Sequence, residues 1–162
     1  MPFFSRTTLF IFLSFMLAIM LTMIPLPVWA QPYRPEWVAL VLFYWSMHQP
    51  ERVGVISGWS VGLLLDVVRG TLLGQYALIL ALIAYFTVRF AIRLRNYHPL
   101  RQMFILLFMV IFIRLESLWV HGIIGVPLES DLYFWIAALV TMLLWPWLQI
   151  ILRDIERKLD LS

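Results

Sequence analysis

The chain has 162 residues, 63% of them hydrophobic and 13% charged, with a formal net charge of +3 and a mean hydropathy of +0.91. Soluble domains are about 45–50% apolar and about 25% charged, so this balance excludes a water-soluble domain and points to a polytopic membrane protein. The absence of cysteine removes disulfides, thiolate nucleophiles and cysteine metal sites.

Charged residues divide the chain into apolar stretches, each a candidate span. The first, 8–29, lies between Arg6 and Arg34 and is longer than the ~20 residues needed to cross the hydrocarbon core. Val28-Trp29-Ala30 loosely resembles a signal-peptide cleavage site, but the run is long and Pro25 and Pro27 crowd it, so a retained span is expected. Residues 37–49 are short for a crossing and are closed by Pro50. Further spans are expected at 52–68, 71–88, 102–120 and 132–152. The fifth carries Arg114 and Glu116. In the sixth, Pro146 within Leu144-Trp145-Pro146-Trp147 would free a carbonyl and kink the helix. The expected fold is all-α: one integral-membrane domain over 1–162, a transmembrane helix bundle of about six spans.

Six crossings put both termini on one side. That side receives Arg6, Arg52, Arg89, Arg93, Arg95, Arg101, Arg153, Arg157 and Lys158, against Arg34 and Arg69 on the other. The positive-inside rule makes the richer side cytoplasmic. A single tilted crossing over 37–68 would instead turn the basic loop Arg89, Arg93, Arg95 and Arg101 outward, against that rule. The loop reads as a cytoplasmic anchor on anionic lipid, with a protein-docking role as the alternative.

The third span opens a series in strict steps of four: Gly54, Gly58, Gly62, Asp66, Gly70 and Gly74. Glycine at that spacing leaves a groove on a helix where another backbone can approach closely. The groove suits either packing within the bundle or the interface with a partner. Asp66 stands at its end, and an acid inside a span is costly enough to suggest a role. Asp66 lies about 21 Å along its helix from Arg52, and Arg114 about 20 Å along from Arg101. Similar depth on helices of the same direction leaves two readings: an intramembrane ion pair, Asp66 with Arg114, or Asp66 and Glu116 both reaching the outer headgroup layer and pairing with water. Glu116, two residues on, faces away from that pair.

Catalytic chemistry has little to work with. Asp66 is the only aspartate well inside a span, so a carboxylate dyad is missing. His48, His98 and His121 fall at span ends on different faces, giving neither a Ser–His pair nor a zinc seat. No GxxxxGK[ST] cradle is present. No enzyme activity, cofactor or metal is expected. The basic residues flank spans rather than forming a nucleic-acid face.

Arg34-Pro35-Glu36-Trp37 opening an apolar run, Tyr44-Trp45, Pro50-Glu51-Arg52-Val53, the Gly58/Gly62/Asp66/Gly70/Gly74 series, and Leu144-Trp145-Pro146-Trp147 followed by Arg153 occur in this order. Together they resemble the MreD family of rod shape-determining proteins in its proteobacterial form, over nearly the whole chain. Arg114 and Glu116 are not part of that pattern. The resemblance implies a non-enzymatic inner-membrane subunit of the cell-elongation machinery. Its partners would be MreC, MreB filaments (directly or indirectly), and a SEDS glycosyltransferase with its transpeptidase. It also implies a fold similar to the membrane substrate-binding subunits of energy-coupling-factor transporters. That likeness supplies an alternative function, small-molecule binding near Asp66.

Overall fold

The computed structural model describes residues 6–25, 27, 35–70, 73–125 and 131–158, with side chains at all of these except 117, 120, 121, 124 and 131–134. Seven helices follow in order: α1 (Arg6–Met23), α2 (Trp37–His48), α3 (Val55–Arg69), α4 (Gln75–Arg89), α5 (Ala91–Asn96), α6 (Pro99–Ile124) and α7 (Asp131–Lys158). The described residues contain no strand, in keeping with the all-α expectation. By length and composition, α1 and residues Trp135–Lys158 of α7 could each cross a membrane, while α2 and α4 are shorter apolar helices. Residues 26, 28 and 29 of the first expected span, 71 of the fourth, and the His121 side chain lie outside the described set.

Several helix ends differ from the expected spans, and two of the differences have local causes. The third helix starts at Val55 rather than at 52, because Arg52 and Val53 donate their amides back to the Gln49 carbonyl in a turn and Gly54 caps the helix. The basic segment is not an open loop. Phe90 closes α4 and at once opens α5, whose Ala91 and Leu94 are buried while Arg93 and Arg95 stay exposed. An alternation of apolar and basic residues there makes one short amphipathic helix.

Helix α2 is the centre of the bundle. Every residue from Val38 to Met47 is buried, as expected of a helix apolar on all sides. Its twelve residues span about 18 Å, less than the ~30 Å of a hydrocarbon core. Encased by α1, α4, α5, α6 and α7, it has no need to reach both membrane surfaces. Phe43 packs edge-on against Trp145 of α7, with ring centroids 4.9 Å apart, and Trp45 against Phe10 of α1 at 5.5 Å. The indole N–H groups are satisfied: Trp45 Nε1 donates to Ser14, and Trp145 Nε1 donates to Gln102 Oε1. Helix α7 runs unbroken through Pro146.

Polar contacts gather at the two ends of α2. At the His48 end, Tyr44 donates its hydroxyl to Glu156 of α7 (2.8 Å), Gln102 of α6 donates to the Leu94 carbonyl of α5 (2.7 Å), and Arg52 donates to Thr8 of α1 (2.9 Å). At the Trp37 end lie Glu36, Arg69, Arg114 and Thr141.

The glycine series divides by role. Gly58 and Gly62 are buried where α3 meets α4. A Cβ on Gly58 would stand 2.7 Å from the Leu80 carbonyl oxygen, and one on Gly62 would stand 2.6 Å from both the Ala77 nitrogen and the Tyr76 oxygen. The chain's own α4 therefore fills the groove. Gly54, Gly70 and Gly74 are not packing positions, since a Cβ there meets nothing within 4 Å. Gly70 (φ 68°) ends α3 and Gly74 (φ 98°) starts α4, both in the left-handed region that glycine tolerates.

Gly62→Leu should lower the melting midpoint of the detergent-solubilised protein and its accumulation in membranes. Overpacking typically costs about 1–3 kcal/mol, and here the obstacle is backbone. Gly122→Ala, in open space on α6, should be neutral or stabilising by up to ~1 kcal/mol.

Candidate functional site: a buried charge cluster at one end of the bundle

Glu36 is the residue immediately before α2, and its carbonyl accepts from Leu40 to begin the helix. Because α2 is short and encased, this carboxylate is carried inside the bundle, with its side chain 4% exposed. Two cations meet it there. Arg114 Nη2 of α6 lies 2.9 Å from Oε1, and Arg69 Nη2 at the end of α3 lies 3.6 Å from Oε2. The Glu36 amide donates to Thr141 Oγ1 of α7 (3.0 Å), and Thr141 in turn donates to the Ala137 carbonyl. One residue thus ties α2 to α3, α6 and α7.

Asp66 does different work. It is 1% exposed and accepts the backbone amides of Gly74 (2.9 Å), Tyr76 (2.8 Å) and Ala77 (3.4 Å). The first amides of a helix lack partners within it and carry a partial positive charge, so a carboxylate placed there is stabilised. Asp66 is in effect the cap of α4, supplied from the preceding helix. The expected Asp66–Arg114 pair is corrected accordingly: Arg114 turns to Glu36, and Asp66 turns to the end of α4. Tyr76 and Gln75 join the two sites. Arg69 donates to the Tyr76 hydroxyl and lies over that ring, 4.9 Å from its centroid, while Gln75 reaches Glu116 of α6 at 3.5 Å. The described residues contain no group of carboxylates and histidines able to hold a metal ion.

The model of the family described as rod shape-determining protein MreD matches residues 5–155. The chain belongs to the MreD family. It is 34% identical over 152 residues to the rod shape-determining protein MreD of Haemophilus influenzae, an alignment covering 91% of this chain and 90% of that one. No solved structure matches the chain. Membership of the MreD family makes this a membrane protein concerned with rod shape, in accord with its apolar helices.

Two of the sequence motifs that resemble the MreD family meet in this cluster: Glu36 from Arg34-Pro35-Glu36-Trp37, and Asp66 and Gly74 from the glycine series. Glu36 itself went unassigned in the sequence reading. The sequence carried part of the signal, since this acid stands at the mouth of a helix that is apolar on every side; its burial follows from the encasement of that helix. Glu36→Gln and Arg114→Met should each destabilise the solubilised protein, because removing one partner of a buried pair typically costs about 3–5 kcal/mol. The double variant should recover part of that loss, whereas Asp66→Ala combined with Arg114→Met should show far weaker coupling. Thermal melting of the four-member cycle checks the assignment.

Proposed function

We propose that the chain is a non-enzymatic inner-membrane subunit of the bacterial cell-elongation complex. It binds the bitopic protein MreC and with it links MreB filaments in the cytoplasm to a SEDS glycosyltransferase and its transpeptidase. The observation that carries this reading is the family match along nearly the whole chain. The charge cluster supports a scaffold rather than a carrier role. Its carboxylates are engaged by Arg69, Arg114 and backbone amides of the same chain, as befits a locked bundle.

In this reading α1, α2, α3, α4, α6 and α7 are the six crossings and α5 lies along the cytoplasmic surface, an arrangement similar in kind to the energy-coupling-factor substrate-binding subunits. Both termini are cytoplasmic. The sorting of hydrogen bonds supports alternate helix directions: Thr8, Arg52, Gln102 and Glu156 bond at the His48 end of α2, and Arg69, Arg114 and Thr141 at the other. Arg69, on the side poor in cations, is matched by Glu36 and so weighs little against the orientation.

Affinity purification of the tagged full chain from native membranes should enrich MreC over an unrelated polytopic control, and its absence from repeated purifications would overturn the scaffold reading. Reporter fusions after Ser162 and within Arg93–Leu100 should read as cytoplasmic and one near Glu129 as periplasmic. A periplasmic signal at Arg93–Leu100 would refute the six-crossing arrangement.

A further inference from the structure

Between Asp66 and Glu116 the sequence holds no acidic residue, yet Arg89, Arg93, Arg95 and Arg101 fall within it. The fold gathers them where α4, α5 and α6 join. A groove of about 360 Å³ opens at that junction, lined by Phe86, Phe90, Tyr97, Ile105 and Met109 together with Arg93. Two of its aromatic walls carry a guanidinium on their face. Arg93 Cζ lies 6.0 Å from the Phe90 centroid, and Arg101 Cζ lies 4.7 Å from that of Tyr97. Stacking on a ring positions a cation without neutralising it. Among the described residues the salt bridges both belong to Glu36, so Arg93 and Arg101 keep their full charge beside the groove.

The other two arginines are directed elsewhere: Arg89 donates to the Tyr85 hydroxyl and Arg95 to the Ala91 carbonyl. On the helices that form the groove, Phe86, Ile92, Phe104 and Phe108 are all more than half exposed. In a chain that spans a bilayer such residues face hydrocarbon. The result is an apolar trough open towards lipid, with two cations at the level where the helices leave the membrane.

We propose that this groove binds an anionic phospholipid. One acyl chain lies along Phe86, Ile105 and Met109, and the phosphate sits between Arg93 and Arg101. The volume is within the ~300–1,000 Å³ of small-molecule sites, and basic pockets between membrane helices are suited to anionic headgroups. A zwitterionic lipid offers the same tails, but its own ammonium offsets the attraction of two guanidinium groups. The inference needs only a chain that spans the bilayer, and stands apart from the assembly proposed above.

The test uses the purified full chain in detergent, titrated with phosphatidylglycerol or with phosphatidylcholine of the same acyl chains. Bound lipid is counted by native mass spectrometry, and the melting midpoint is followed in parallel. Phosphatidylglycerol should bind more tightly than phosphatidylcholine. Arg93→Gln should weaken it about fivefold, with Arg93→Lys restoring most of the affinity. Met109→Trp, or Ile105→Phe where the first variant does not fold, should fill the trough and remove the bound lipid. Arg157→Gln, the same charge loss at the end of α7, should change little. The proposal is overturned by equal binding of the two lipids, by an Arg157→Gln effect equal to that of Arg93→Gln, or by inorganic phosphate or polyglutamate reproducing the phosphatidylglycerol response.

Discussion

A carboxylate at the mouth of a helix buried on every side must be matched by cations from its neighbours, because an unpaired charge away from water costs several kcal/mol. Glu36 is in that position, and it receives Arg69 from the end of α3 and Arg114 from within α6. The requirement sets relative heights. Helices α2, α3 and α4 have an end at this level, while α6 and α7 pass through it, meeting Glu36 at Arg114 and Thr141. From Thr141 back to the start of α7 at Asp131 is about 15 Å of helix, so the α6–α7 pair rises beyond the rest of the bundle.

The hairpin of α3 and α4 shows how a four-residue step can serve more than one purpose. Gly58 and Gly62 let the α4 backbone come close, which brings its N-terminus within reach of Asp66 one turn later. Gly70 and Gly74 then supply the positive φ values that turn the chain from one helix into the next. The close approach and the capped helix end depend on each other. Without the glycines the carboxylate would fall short of the amides, and without the carboxylate those amides would be buried unpaired.

Much of this was legible in the sequence, and the rest was hidden for definable reasons. Apolar stretches between charges coincide with the main helices, though α1 ends at Met23 and α7 runs on to Lys158, and glycine spacing pointed to the close contact of α3 with α4. The partner of Asp66 was not legible. Counting residues along a helix gives depth, but which acid Arg114 meets depends on rotation about the helix axis and on which neighbour packs alongside. Backbone amides were also left out of that count, although a helix start offers several donors that cost no charge. For Glu36 the obstacle was its place outside the apolar run. Its burial follows only once α2 is known to be encased. In the basic segment, the density of arginines masked the two apolar residues, Ala91 and Leu94, that fold α5 against the bundle.

The linkage through Glu36 also imposes an order in time. The chain is made from its N-terminus, so Glu36 enters the membrane long before Arg114, and Thr141 follows 105 residues after it. Until α6 arrives, Arg69 is the one of the two described cations on hand to neutralise the carboxylate, and α2 lacks the part of its wall that α6 and α7 supply. The early helices are therefore held in a half-matched state that the last two complete. A chain cut short before Arg114 would leave α2 uncovered on the side of α6 and α7, with a half-matched acid at its tip.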